Sequence, residues 1–235
     1  AATHTRGTVK VSILSSAYRG LSAATHMSIV NAMGVLGWQH RVLSDDAIID
    51  HARGMLVTDW YLHSSDDVFV MIDDDVAFFP QDVLRLVNRE AEMVSAVYPA
   101  RLGQTLTGVP LDPNMDSACL EGNDLIELLR AGMGCVAVRR EVVARLVAVM
   151  DDCEAENGQV FWPFFMPLIQ NRKYVGEDMA FCARVRETGS HIWLDPQVRV
   201  AHMSGELPVT MANMHLVRSA VETYQASLGR IAAAA

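Results

Sequence analysis

The chain has 235 residues, 51% of them apolar and 20% charged, which is enough to bury a substantial core and excludes a disordered protein. Its formal net charge of -9 excludes a protein that coats nucleic acid or anionic membrane through bulk charge, while leaving room for a local basic groove. No apolar run approaches the roughly 18 residues a bilayer crossing needs, and the N-terminal segment lacks the charged-then-apolar pattern of a secretory signal, so no stable membrane insertion is expected.

Residues 9–14 (VKVSIL) form a β-rich run that breaks at Ser15 and Ser16, and a helical pattern follows over 24–36. Residues 38–43 read as a second strand. Asp45 and Asp46 then stand where N-caps belong, ahead of Ile48, Ile49, Ala52, Met55, Leu56 and Trp60 at helical spacing. A third strand over 68–72 ends in Asp73, Asp74 and Asp75, and Pro80 opens a helix reaching about residue 92. Residues 94–98 give another strand. This alternation predicts an α/β fold, three layers with a mainly parallel central sheet, whose ligands sit outside the carboxyl ends of the strands.

Past residue 100 the texture changes. Residues 101–123 read as a long loop, 132–139 as a strand, 141–150 as an amphipathic helix, 177–187 as a helix, and 192–194 and 198–201 as short strands. The chain divides near residue 100 into two halves of the same domain, 1–100 and 101–205, with a helical tail over 206–235. Cys119, Cys135, Cys153 and Cys182 form no CxxC pair, which argues against a zinc knuckle and for buried free thiols in a reducing compartment.

The acids at 73–75 carry the chemistry. Aspartate is a poor strand former and adjacent carboxylates repel, so local folding gives no reason for VFVMIDDDVAFFP. A cation would. Along an extended chain Asp73 and Asp75 point to one side and Asp74 to the other, so Asp73 and Asp75 can share one divalent metal whose shell is completed by water and phosphate oxygens. The same residues equally read as a solvated turn capping the next helix. Glu177 and Asp178 follow Gly176 at a helix start, where an ordinary N-cap is the plainer reading. His202 ends the apolar run VRVA as a ligand or a structural residue. Arg53 either reaches a diphosphate bidentately or is a solvated helix charge.

Taken in order, VKVSILSSAYRG, HARGMLV, VFVMIDDDVAFFPQDV, VSAVYPAR, AGMGCVAVRREVV, GEDMAFCARVRETGSHIWLDP and VRVAHMSG resemble the GT-A (Rossmann-like) glycosyltransferases, most closely small bacterial and bacteriophage-type inverting members. The resemblance implies transfer of a sugar from a nucleotide-diphosphate donor to a hydroxyl acceptor, a glycan or a hydroxymethylated DNA base among them, in the cytoplasm. It implies Mn²⁺ (or Mg²⁺) on Asp73, Asp75 and His202, with Asp178 as general base and Glu177 orienting acceptor or base. It makes 1–100 the nucleotide-sugar half and 101–205 the acceptor-binding, catalytic half, with Ser15, Arg19, Asp46, Arg53, Asp73 and Asp74 around the nucleotide. Gly132 and Gly134 would let backbone approach the sugar, or serve tight packing; Trp162 would stack on the acceptor, or belong to the core. A nucleotidyltransferase or a non-catalytic sugar-nucleotide-binding relative are the alternatives.

Overall fold

The computed structural model describes residues 9–100, 106–204 and 207–212. The first half runs β1 (Val11–Ala17), α1 (Ala23–Leu36), β2 (Gln39–Ser44), α2 (Ile49–His63), β3 (Val68–Ile72), β4 (Val76–Ala77), α3 (Pro80–Asn88) and β5 (Met93–Val97). The second half runs β6 (Gly108–Pro110), β7 (Ile126–Ala131), β8 (Cys135–Arg139), α4 (Arg140–Val147), β9 (Cys153–Glu154), β10 (Val160–Phe161), β11 (Leu168–Gln170), β12 (Lys173–Val175), α5 (Glu177–Glu187), β13 (Ile192–Arg199), β14 (Ala201–Ser204) and β15 (Leu207–Val209).

Eight strands form the central sheet in the order β2-β1-β3-β8-β5-β13-β7-β6. Strands β2, β1, β3, β5, β13 and β6 run one way; β8 and β7 are reversed. Side-chain alternation splits the core into two layers. Phe69 and Met71 face α2, α4 and α5 through Leu56, Trp60, Val143, Leu146, Phe181 and Val185. Val68, Val70 and Ile72 face α1 and α3 through Ile29, Ala32, Val83 and Leu86. The result is the α/β/α sandwich expected of apolar parallel strands covered on both faces.

Several boundaries differ from the sequence expectation. Strand β1 continues through Ser15 and Ser16, because β2 pairs with both positions. The predicted pair of strands at 192–194 and 198–201 is one strand to Arg199, with Pro196 lying in the irregular stretch between its pairings with β5, where no ladder donor is required. The long loop contains β6 and a 3₁₀ turn at Ser117–Glu121, with residues 101–105 outside the described residues. The expected helical tail begins instead with β15, a strand on β14; residues 213–235 lie outside the described residues. Cys135 and Cys182 are buried, but Cys119 and Cys153 are exposed free thiols. No helix among the described residues is long and apolar enough to cross a membrane.

Candidate active site

The acids occupy a tight turn between β3 and β4. The Asp73 amide donates to the Gly134 carbonyl at 3.1 Å, the Val76 amide donates back to the Asp73 carbonyl at 3.3 Å, and the Asp74 carbonyl accepts from the Ser22 amide at 2.7 Å. Since the chain is no longer extended here, the expected alternation fails: Asp73, Asp74 and Asp75 all line one 220 Å³ cavity, with Ser16, Tyr18, Asp46, Ile49 and Arg53. Carboxylates so crowded call for positive charge.

Arg53 supplies part of it. Its side chain, 3% exposed, projects from α2 with Nη2 at 2.6 Å from Asp73 Oδ1 and Nη1 on Asp178 Oδ1, while Glu177 Oε1 lies 3.5 Å from Nη1. It is therefore no solvated helix charge; it ties the first-half acid to both second-half acids. Burial alone would lower its pKa, but Asp73, Asp178 and Glu177 outweigh burial and raise it. Arg53 Nε is buried with no hydrogen-bond partner among the described residues. The neighbouring Gly54 explains how the helix sits so close: a Cβ there would lie 3.2 Å from Phe161 Cδ2 and from the Trp162 carbonyl oxygen. Trp162 donates its amide to Thr58 Oγ1 at 3.1 Å and packs edge-on to Tyr61. Its ring belongs to this aromatic cover and lines neither cavity of the site.

A second cavity, 290 Å³, lies across Asp73 and is lined by Tyr98, Thr107, Gly132, Asp178, Met179 and His202 among others. Asp73 is thus the wall common to both spaces. Asp178 stands in the first turn of α5, 24% exposed, with Oδ2 accepting the Met133 amide at 3.2 Å. Burial, chiefly, holds its carboxyl above the ordinary aspartate value; Asp73 and Glu177 add to this, while Arg53 and the Met133 amide oppose it.

His202 reaches the same rim because β14 pairs with β4, setting His202 opposite Val76. Its Nε2 lies 3.2 Å from Asp75 Oδ1, and its Nδ1 donates to the Pro99 carbonyl at 3.1 Å. A backbone acceptor on Nδ1 fixes the tautomer that points Nε2 at the carboxylate, the arrangement in which an imidazole is held as a metal ligand. Asp75 and His202 therefore fit a divalent cation. Asp73 turns to Arg53, and among the described residues no three His, Cys, Asp or Glu side chains gather as a ready-made metal cluster.

The remaining expected residues divide. Ser15 and Ser16 have buried hydroxyls without hydrogen-bond partners among the described residues, and Ser16 alone of the two lines the first cavity. Asp46 lines it as well, its Oδ1 taking the Ile48 amide at 3.0 Å ahead of α2 and its Oδ2 meeting His51 Nδ1 at 2.5 Å. Arg19 lies outside that lining, with its guanidinium 5.8 Å from the Tyr18 ring. Tyr18, His51, Tyr98, Met133 and Met179 were not anticipated. Only Tyr18 left a sequence signal, an aromatic in the loop after a strand at the ligand-bearing edge.

This three-layer arrangement, with its acids at the β3 rim, is the GT-A-type glycosyltransferase fold. Neither the scan against protein-family models nor the search of curated proteins returns a match. Among solved structures, A197 from STIV is similar with a TM-score of 0.54 and 12% identity, over 85% of this chain and 93% of that one. GalNAc-T7 with UDP, GalNAc and Mn²⁺ gives 0.52 and 10%, over 83% of this chain and 44% of that one, so this chain spans less than half of that protein's length. The inositol-1-phosphate CTP transferase from T. maritima gives 0.47 and 9%, over 90% of this chain and 96% of that one.

Proposed function

We propose that the chain is a metal-dependent glycosyltransferase that moves a sugar from a nucleotide-diphosphate donor to a hydroxyl acceptor with inversion. The observation that carries this reading is the shared wall: Asp73 separates a cavity bearing Ser16, Tyr18 and Asp46 from one bearing Asp178. In this reading the first space takes the nucleoside, with the orphaned Ser16 hydroxyl meeting a polar group of the ligand and the Tyr18 ring offering a stacking face. Asp73 and Asp74 face the ribose and diphosphate side, and Gly132 borders the sugar in the second space.

Asp75 and His202 would hold Mn²⁺ or Mg²⁺, which when bound would supply the positive charge that the leaving diphosphate needs. The chain's own groups do the rest. Arg53 keeps Asp178 ionised and fixed; burial makes that carboxylate a stronger base than an exposed one. Asp178 takes the acceptor hydroxyl's proton as the oxygen bonds to the anomeric carbon and the bond to diphosphate breaks. Glu177, beside it, orients the acceptor.

The acceptor is a hydroxyl on a glycan or on a hydroxymethylated DNA base. Exposed free thiols at Cys119 and Cys153 accord with a reducing, cytoplasmic setting. A nucleotidyltransferase would need a glycine-rich basic loop after β1 to cradle a triphosphate, and residues 15–20 offer one Gly and one Arg. The deciding experiment is a nucleotide-sugar panel read by thermal shift and by donor hydrolysis, with and without Mn²⁺. A donor that stabilises the fold only with metal and is turned over supports the transferase; binding without turnover identifies a sugar-nucleotide-binding relative, and a flat panel rejects both.

A further inference from the structure

We propose that Tyr98, a buried phenol outside the catalytic set, is a positioning residue that locks the base side and the metal side of this site into one geometry. The inference rests on the transferase reading. Tyr98 follows β5 and is 2% exposed. Its hydroxyl accepts the Gly134 amide at 2.7 Å. The backbone around it is bare of necessity: a Cβ on Gly132 would come within 2.8 Å of the hydroxyl, and one on Gly134 within 2.7 Å of the hydroxyl and 3.0 Å of ring Cζ. These two glycines, expected to admit a sugar, make room for the phenol.

From that turn the contacts run to Asp73, the wall between the two cavities, and to Asp178, the proposed base. The Gly134 carbonyl accepts the Asp73 amide at 3.1 Å, and the Met133 amide donates to Asp178 Oδ2 at 3.2 Å. On its other flank the Tyr98 ring meets the His202 ring edge-to-face, with centroids 5.7 Å apart at 81°, and the carbonyl of the next residue, Pro99, anchors His202 Nδ1. One side chain and the peptide after it therefore touch the supports of Asp73, Asp178 and His202 at once.

The test compares the wild-type chain with Tyr98→Phe, and with a protein carrying 3-fluorotyrosine at position 98, which keeps the shape while weakening the oxygen as an acceptor. Kinetics use the nucleotide sugar that the panel identifies. Loss of one positioning hydrogen bond should lower kcat roughly tenfold in Tyr98→Phe while donor KM stays within about twofold, with a smaller fall in the fluorinated protein. Unchanged kcat, or a loss confined to KM, overturns the proposal. If Tyr98→Phe does not fold, the fluorinated protein decides by the same two criteria. A donor-free arm follows hydrogen exchange at the Gly134 amide, which should quicken in both altered proteins; unchanged exchange also overturns it. If wild type turns over no sugar on the panel, the transferase reading fails on its own account and the exchange arm still decides whether the phenol holds the turn.

Discussion

Asp75 and His202, from opposite halves of the chain, meet with 3.2 Å between Oδ1 and Nε2 because β14 lies against β4 directly after the acidic turn. The pair is backed by the Pro99 carbonyl on Nδ1, so the ring cannot turn away without losing a bond. Replacing His202 with Ala or Asp75 with Asn should abolish the Mn²⁺-dependent part of the donor's thermal shift and lower turnover by about 10²-fold or more. A variant whose donor stabilisation still depends on Mn²⁺ would remove this pair from the metal site.

If Asp178 is the base, Asp178→Asn separates catalysis from stability. The folded state holds this carboxyl's pKa above its unfolded value, so its contribution to stability is full below the ordinary aspartate range and is lost as pH rises through the raised folded value. At neutral pH the ionised group is thus a burden. The Asn protein should lose turnover by about 10²- to 10⁴-fold yet melt at the same temperature or higher at pH 7, the difference shrinking on acidification. Wild-type kcat/KM should rise with pH along an acid limb lying above the ordinary aspartate value, a profile measurable with the hydrolysed donor.

Arg53→Ala leaves Asp73, Asp178 and Glu177 facing one another without a guanidinium. Removing one partner of a buried network is costly, here about 2–3 kcal/mol in urea unfolding at pH 7, because Asp73 and Asp178 retain 25% and 24% of their exposure and water screens part of the penalty. Arg53→Lys should recover little of it, since an ammonium lacks the fork that meets both aspartates. Equal stability of Arg53→Ala and wild type would show that the cluster is not held by this residue.

Gly54→Ala probes the close crossing of residues 161–162 over α2. Alanine is the better helix former by about 1 kcal/mol, so a solvent-facing glycine would gain stability from this change. With Phe161 and the Trp162 carbonyl 3.2 Å from the added carbon, the expected result is the opposite, a net loss of about 1–3 kcal/mol by chemical denaturation.

The hairpin β11–β12 leads straight into Glu177 and presents Ile169 and Tyr174, cross-strand partners 73% and 71% exposed, beside Arg172 and Lys173. If the second half binds acceptor, Tyr174→Ala should raise acceptor KM about five- to tenfold while donor hydrolysis stays unchanged. A matching loss in both reactions would assign the residue to the donor instead.

The layers were legible because strand and helix periods alternate cleanly in the first hundred residues; β3 and α5 fall where their patterns end. Asp73, Asp75, Asp178 and His202 were readable as motif residues, and their charge gave a physical motive for a cation. What the sequence hid was set by pairing and shape. Ser15 and Ser16 look like a loop until β2 supplies partners for them, and the facing of Asp74 follows a turn that strand alternation cannot describe. Tyr98 is one aromatic among several until Gly132 and Gly134 are found moulded round its hydroxyl.

The reversed strand β8 lies between β3 and β5, hydrogen-bonded to both. The first hundred residues therefore cannot close their own sheet: a fragment ending there leaves one edge of β3 and both edges of β5 unpaired, where aggregation begins. On the ribosome those edges wait for 135–139 to emerge, and the Gly134 contact with Asp73 arrives with the same segment. The two cavities on either side of Asp73 are in this sense completed together, by a segment that the first half of the chain does not supply.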